Sequence, residues 1–251
     1  MEKLADCDVL ALGPGLGRSE GVTELVCELL RKTEKPVVLD ADGINALEAH
    51  MDVLDARQGR VTILTPHDGE FARIGGDLSA GRVAAARDFA KAHGCILVLK
   101  GHKTIVATPE GNVLVNTTGN SGLARGGSGD VLTGIIASLL AQGATPVQAA
   151  ALGVWMHGRA GDLAAEKWTE YAMTPEDAYA ILEAIAEING YKHRLKKWKA
   201  TANEQRDEAL AQEINEQHQE RMTPFTFAKC GIAVGEQIEF CCRGNDYSGT
   251  M

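Results

Sequence analysis

Short apolar runs alternate with longer stretches of helical spacing over the first 115 residues. Asp8–Leu12 is an apolar run that ends in the turn Gly13-Pro14-Gly15-Leu16-Gly17. Val22, Leu25, Val26, Leu29 and Leu30 then recur three or four residues apart, the spacing of one helix face. Pro36–Leu39 and Val61–Leu64 read as buried strands, stopped by Asp40-Ala41-Asp42-Gly43 and Thr65-Pro66-His67. A further helix follows, with Val83, Phe89 and Ala90 facing inward, and then the strand Cys95–Leu99. Strand, helix, strand at these intervals predicts βαβ units and a mainly parallel sheet flanked by helices, an α/β fold. Thr104–Ala107 and Asn112–Val115 flank Thr108-Pro109-Glu110-Gly111, which predicts a hairpin.

From Ser128 the pattern turns helical: Val131, Leu132, Ile135, Ile136, Leu139 and Leu140 line one face, and Gly143 supplies the stop. Thr145-Pro146-Val147-Gln148 has an N-cap, a proline at the first helical position and a capping-box glutamine. It opens an apolar helix through Trp155, and Thr174-Pro175-Glu176-Asp177 opens another by the same logic. Past Gly190 the character changes. Tyr191–Glu220 is almost wholly polar, as in an exposed helix or a disordered linker, and Pro224–Phe227 and Gln237–Phe240 look strand-like. A boundary near Asn189 therefore separates residues 1–189 from a linker and small β-like tail at 190–251, to which no function is assigned.

Composition sharpens this picture in two places. The net charge of −9 lies entirely before residue 190, since the tail holds nine basic and nine acidic residues. An acidic body argues against nucleic acid as a partner. No apolar run approaches the roughly 20 residues that cross a bilayer, and the first residues lack the pattern of a signal peptide. Six cysteines, at 7, 27, 95, 230, 241 and 242, show no CxxC spacing. Reduced thiols in a cytoplasmic protein are the expectation. His193 and His218 have no metal-binding spacing, and His157 on an apolar helix reads as a core histidine.

The candidate chemistry sits at Gly126-Gly127-Ser128-Gly129-Asp130, directly before the apolar helix. Glycines remove the Cβ atoms that would block a close approach and permit positive φ. The first N–H groups of a helix lack internal acceptors and lie at the positive end of its dipole. Gly126, Gly127, Ser128 and Gly129 thus predict an anion hole suited to a phosphoryl group. Asp130 would stand beside it as a base for an attacking hydroxyl, and Arg125 adds a cation. A flexible turn with Asp130 as a capping carboxylate would give the same letters.

The whole segment Asn116–Gly134, NTTGNSGLARGGSGDVLTG, resembles the C-terminal signature of the NAD(P)H-hydrate dehydratases, members of the ribokinase-like superfamily. The usual form has Asn-Pro-Thr-Gly-Asn and Ala-Lys-Gly-Gly, so Thr117 stands for the proline and Arg125 for the lysine. Gly13–Gly17, Asp40–Leu47 (DADGINAL), Thr65–Phe71 (TPHDGEF) and Lys100–Thr104 (KGHKT) match the same family in order. The resemblance covers roughly residues 5–188. It implies ADP- or ATP-dependent dehydration of the S-epimer of hydrated NADH or NADPH, a metabolite-repair reaction. Carried over by position, Asp130 is the catalytic base and also a substrate contact. Lys100, Gly101, His102, Lys103, Thr104 and Gly129 contact the adenine nucleotide, while Gly13, Gly15, Gly17 and His67 contact the substrate.

Glu70 falls where ribokinase-like kinases organise Mg²⁺ through water. Asp68, where the dehydratases usually have proline, adds a negative charge near the phosphates. Other readings of single residues stay open: Asp40, Asp42 and Asn45 suit a turn, His67 and Glu70 suit a helix start, and Lys100 suits a solvated strand end. The family's domain begins some strands upstream of Gly13, so the resemblance also implies a truncated sheet with an open edge, low stability and self-association as a homo-oligomer. Two rival functions also fit the sequence: a kinase of a small vitamin-type alcohol, and an inactive remnant or interaction module.

Overall fold

In the computed structural model, residues 7–188 and two three-residue strands at 238–240 and 247–249 are described. Six strands form one sheet in chain order: β1 (Leu10–Leu12), β2 (Val37–Leu39), β3 (Thr62–Leu64), β4 (Ile96–Leu99), β5 (Ile105–Ala107) and β6 (Val113–Val115). β1 to β4 are parallel, and β5 and β6 add as the predicted antiparallel hairpin. The eight α-helices of the described residues are α1 (Glu20–Lys32), α2 (Asp42–Asn45), α3 (Met51–Asp55), α4 (Asp68–Arg73), α5 (Arg82–His93), α6 (Ser128–Ala141), α7 (Pro146–Ala172) and α8 (Pro175–Ile188), with a 3-10 turn at Ser121–Leu123.

Strand residues alternate between two cores, which is why these strands read as unbroken apolar runs. Leu12, Leu39, Leu64, Leu97 and Leu99 pack with Val26 and Leu30 of α1, Val53 and Leu54 of α3, and Phe89 and Ala90 of α5. Val38, Ile63, Ile96, Val98 and Val106 face the other way, onto Leu132, Ile136 and Leu139 of α6 and Ala150 and Val154 of α7. Cys27 and Cys95 are buried free thiols in the first core, and burial pushes the Cys95 thiol up to about 12. Arg57, also buried there, caps the end of α1 by donating to the Leu30 and Thr33 carbonyls at 2.7 and 2.8 Å.

The predicted caps are present. Thr145 and Gln148 form a capping box with Pro146 in the first turn of α7. Thr174 and Asp177 exchange the equivalent bonds at the start of α8. One expectation falls short: the helix read through Trp155 runs on to Trp168, and after a kink at Thr169 (φ 68°, ψ 157°) the segment closes at Ala172. Its second half buries small residues (Gly158, Ala160, Gly161 and Ala164) that carry little periodic signal. β1 and β6 are the sheet's edges among the described residues, and Ala11 of β1 is exposed. Ile238–Phe240 and Tyr247–Gly249 pair as a separate antiparallel ribbon, here β7 and β8. The polar segment 191–220, the strand at 224–227, His193, His218 and the cysteines at 230, 241 and 242 lie outside the described residues.

Candidate active site

Four parallel strands end at one level, and each hands a motif to the same rim. Leu12, Leu39 and Leu64 are register partners, followed by Gly13, Asp40 and Thr65. The row continues through Lys100, which bridges His67 in parallel and donates its N–H to the Pro66 carbonyl at 2.8 Å. The carboxyl ends of parallel strands are where open α/β sheets place ligands.

Asp40 and Lys100 meet at the centre of this rim. Lys100 Nζ lies 2.6 Å from Asp40 Oδ1 and 3.7 Å from Glu70 Oε2, and Asp40 is 1% exposed. Thr133 Oγ1, one turn into α6, donates to Asp40 Oδ2 at 3.0 Å. The motif lysine is therefore held by a buried carboxylate and does not sit free in solvent. A Cβ at Gly129 would lie 3.2 Å from Lys100 Nζ and 3.3 Å from Asp40 Oδ2, so α6 begins in contact with this pair. Asp42 turns the other way and accepts from the Gly17 N–H at 2.9 Å, with Arg18 Nε at 3.3 Å. Between them Ala41 holds φ 48°, ψ −117°, a conformation costing about 1–3 kcal/mol for a residue with a Cβ. The strain sends successive carboxylates to two different loops. Gly13, at φ 134°, must be glycine because a Cβ would fall 1.7 Å from the Asp40 carbonyl oxygen.

His67 and Glu70 form a capping box on α4: His67 Nδ1 accepts from the Gly69 and Glu70 N–H groups at 2.9 and 3.2 Å, and Glu70 Oε2 accepts from the His67 N–H at 2.9 Å. The helix-start reading of these two residues is thus correct. It also fixes the tautomer: with Nδ1 accepting, the proton is on Nε2, on a side chain that is 53% exposed.

α6 starts without a side-chain cap, its N-cap being Gly127 at φ 92°. The Ser128 N–H turns back toward the Arg125 carbonyl at 3.3 Å, which leaves the Gly129 and Asp130 N–H groups for an anion. Asp130 is exposed on this first turn, while Ser128 Oγ is buried without a partner. Arg125 donates to the Tyr171 carbonyl near the end of α7. The loop before α6 is braced on α7: Asp162 accepts from the Gly119 N–H and from Asn120 Nδ2 at 3.0 and 3.1 Å, and Thr118 Oγ1 donates to the Trp155 carbonyl. A Cβ at Gly158 would lie 2.2 Å from Thr118 Oγ1, so the loop's seat depends on that glycine. Gly101, His102 and Lys103 are exposed, and Thr104 Oγ1 donates to the Gly101 carbonyl at 3.1 Å. Among the described residues no group of three or more His, Cys, Asp or Glu could hold a metal ion.

The Carb_kinase family model, described as NAD(P)H-hydrate dehydratase, matches residues 1–184. The chain belongs to the NAD(P)H-hydrate dehydratase family. It is 48% identical over 189 residues to the bifunctional NAD(P)H-hydrate repair enzyme Nnr of Moorella thermoacetica, covering 74% of this chain and 36% of that one. Against the ADP-dependent (S)-NAD(P)H-hydrate dehydratase of Neisseria meningitidis it is 44% identical over 172 residues, 66% of this chain and 58% of that one. Among solved structures, the ADP/ATP-dependent NAD(P)H-hydrate dehydratase of Bacillus subtilis, co-crystallized with ATP/Mg²⁺ and soaked with CoA, is similar with a TM-score of 0.58 and 32% identity. That match covers 70% of this chain and 67% of the other. A ribokinase-like superfamily protein of Enterococcus faecalis gives 0.61 at 25% identity, with 78% and 66% covered, so the fold is ribokinase-like. The chain spans about a third to three-fifths of the length of these curated relatives.

Thr133, Arg82 and Asp162 carry no signal in the sequence, since each acts through a partner distant along the chain. His157 is a core residue as expected, 8% exposed with Nε2 unpartnered. Burial, with Lys100 nearby, pushes its pKa down to about 4. Between pH 4 and its ordinary 6.5 the unfolded chain binds a proton that the folded chain does not, so this contribution to stability is lost as pH falls through that window. We expect a loss of up to about 3 kcal/mol, read as falling urea midpoints from pH 7 to 4, and a shallower dependence in His157→Gln.

Proposed function

We propose that this chain dehydrates the S-epimer of hydrated NADH or NADPH at the expense of ADP or ATP. The observation that carries the reading is the meeting of five motifs at one rim: an uncapped helix start with Asp130 on its first turn, beside the buried Asp40–Lys100 pair. Hydroxide is a poor leaving group from the reduced pyridine ring. Asp130 takes the proton of the ring hydroxyl as its oxygen attacks the terminal phosphoryl group of the nucleotide, releasing AMP from ADP or ADP from ATP. The Gly129 and Asp130 N–H groups receive the charge that grows on the phosphoryl oxygens, and Lys100 supplies a cation at the same level. Loss of phosphate from the ester, with a proton from the neighbouring ring carbon, restores the dihydropyridine. His67, half-exposed with Nε2 3.5 Å from Glu70 Oε1, and the Gly13–Gly17 turn form the side where the dinucleotide binds.

Mg²⁺ fits this site as an ion brought by the nucleotide phosphates, since the described residues offer no cluster of ligands of their own. Glu70 Oε1 would orient one of its waters, and the ion would neutralise phosphate charge. The reading puts the catalytic unit in residues 1–189 and gives 190–251 no part in it. It takes the protein as cytoplasmic, in line with the absence of any helix long and apolar enough to cross a membrane among the described residues. The open edge at β1 is where a second copy of the chain would add to make a homo-oligomer.

The product of phosphoryl transfer tests the reading. With full-length chain, ADP or ATP, Mg²⁺ and hydrated NADH, one inorganic phosphate should be released for each nucleotide consumed. A stable phosphate ester on a small alcohol, with hydrated NADH inert, would make the protein a kinase. No binding of either nucleotide would leave a non-enzymatic module.

A further inference from the structure

We infer that Arg82 is a positioning residue that ties the His67 loop to the Lys100 loop and so sets nucleotide affinity; the inference rests on the nucleotide site proposed above. Arg82 opens α5, fourteen residues beyond Asp68; Asp68 lies within TPHDGEF, whereas Arg82 lies in none of the five motifs. Its Nη1 reaches both oxygens of Asp68, at 2.6 and 2.7 Å. Its Nη2 donates to the carbonyls of Leu99 and Lys100, at 3.1 and 2.9 Å. One guanidinium thus joins the residue next to His67 with the end of β4 and the lysine of KGHKT.

The geometry also explains the glycine of that motif. Gly101 has φ 152°, and a Cβ there would lie 2.8 Å from both Nη1 and Nη2 of Arg82. The guanidinium is packed against the Gly101 Cα, so any larger residue would push the clamp off its acceptors. Asp68 takes on a meaning that the sequence hid. Its charge near the phosphates is neutralised by Arg82, whose side chain is 28% exposed, and is spent on anchoring the loop. Lysine is no substitute, because an ammonium cannot reach a carboxylate and two carbonyls from one planar fork.

Calorimetric titration of the full chain with ADP and Mg²⁺ tests this, with melting curves in parallel. Arg82→Lys should weaken ADP binding about tenfold, and Asp68→Asn about threefold, as expected for lost charge-assisted hydrogen bonds. In turnover, the rise in nucleotide KM should exceed the fall in kcat. Asp68→Asn placed on Arg82→Lys should add nothing, since both act through one contact, and Asp68→Glu should restore binding. Wild-type affinity in a folded Arg82→Lys variant would overturn the inference. Should that variant not fold, Asp68→Asn decides alone, because Asp68 is 47% exposed and its loss leaves the carbonyl bonds in place. Failure of the unmodified chain to bind ADP or ATP would overturn the functional reading and this inference with it. Normal binding in both chain and variants overturns the inference alone.

Discussion

Asp130→Asn is expected to lower turnover by about a thousandfold, within the range for loss of a positioned general base. The substitution keeps the size and shape of the side chain and removes only its ability to take a proton. Asp130 is exposed on the first turn of α6 and its side chain makes no hydrogen bond or ion pair among the described residues, so folding has little to lose. The melting temperature should hold to within a few degrees, and ADP binding should change little or tighten as a negative charge leaves the phosphate site. Single-turnover rates and calorimetry on the same samples separate these outcomes. Turnover within a few-fold of the unmodified chain would remove Asp130 from the chemistry.

Lys100→Met should produce the largest loss of stability at the site, together with loss of nucleotide binding. Asp40 is 1% exposed, and without the ammonium at 2.6 Å its carboxylate keeps only the Thr133 hydroxyl. Stranding a buried charge costs about 3–5 kcal/mol, which lowers the melting temperature by roughly 10 °C in a domain of this size. Adding Asp40→Asn to the same chain removes the stranded charge and should restore most of the stability. It should not restore ADP affinity, because the cation is still missing. Recovery of both together would mean that the pair only supports the fold. A small thermal effect of Lys100→Met alone would mean that Asp40 is solvated in solution.

The strands, caps and hairpin were legible because they follow from local rules: apolar runs stopped by turn residues, and Thr-Pro or Gly at helix ends. The extension of α7 to Ala172 was not, since Gly158 and Gly161 are buried for their lack of bulk against Thr118 and Leu123, and small residues leave no periodic trace. At the site, the uncapped, glycine-rich start of α6 was legible from its composition. The partnership of Asp40 with Lys100 did not, because sixty residues separate them and the register of β2, β3 and β4 alone brings them together. The turn-former reading of DADG was therefore half right. Asp42 does serve the Gly13–Gly17 turn, whereas Asp40 is the buried anchor of Lys100. Asp68 was legible only as an extra charge, and its neutralisation by Arg82 needed the loops in three dimensions.

The activity proposed for this rim is the return of hydrated NADH to NADH at the expense of a nucleotide. Following the dihydropyridine absorbance of hydrated NADH after addition of full-length chain, Mg²⁺ and ADP or ATP tests it most directly. Absorbance should return only when nucleotide is present, with the S-epimer consumed and the Asp130→Asn chain inert. No return of absorbance, from a folded chain that binds the nucleotide, would contradict it.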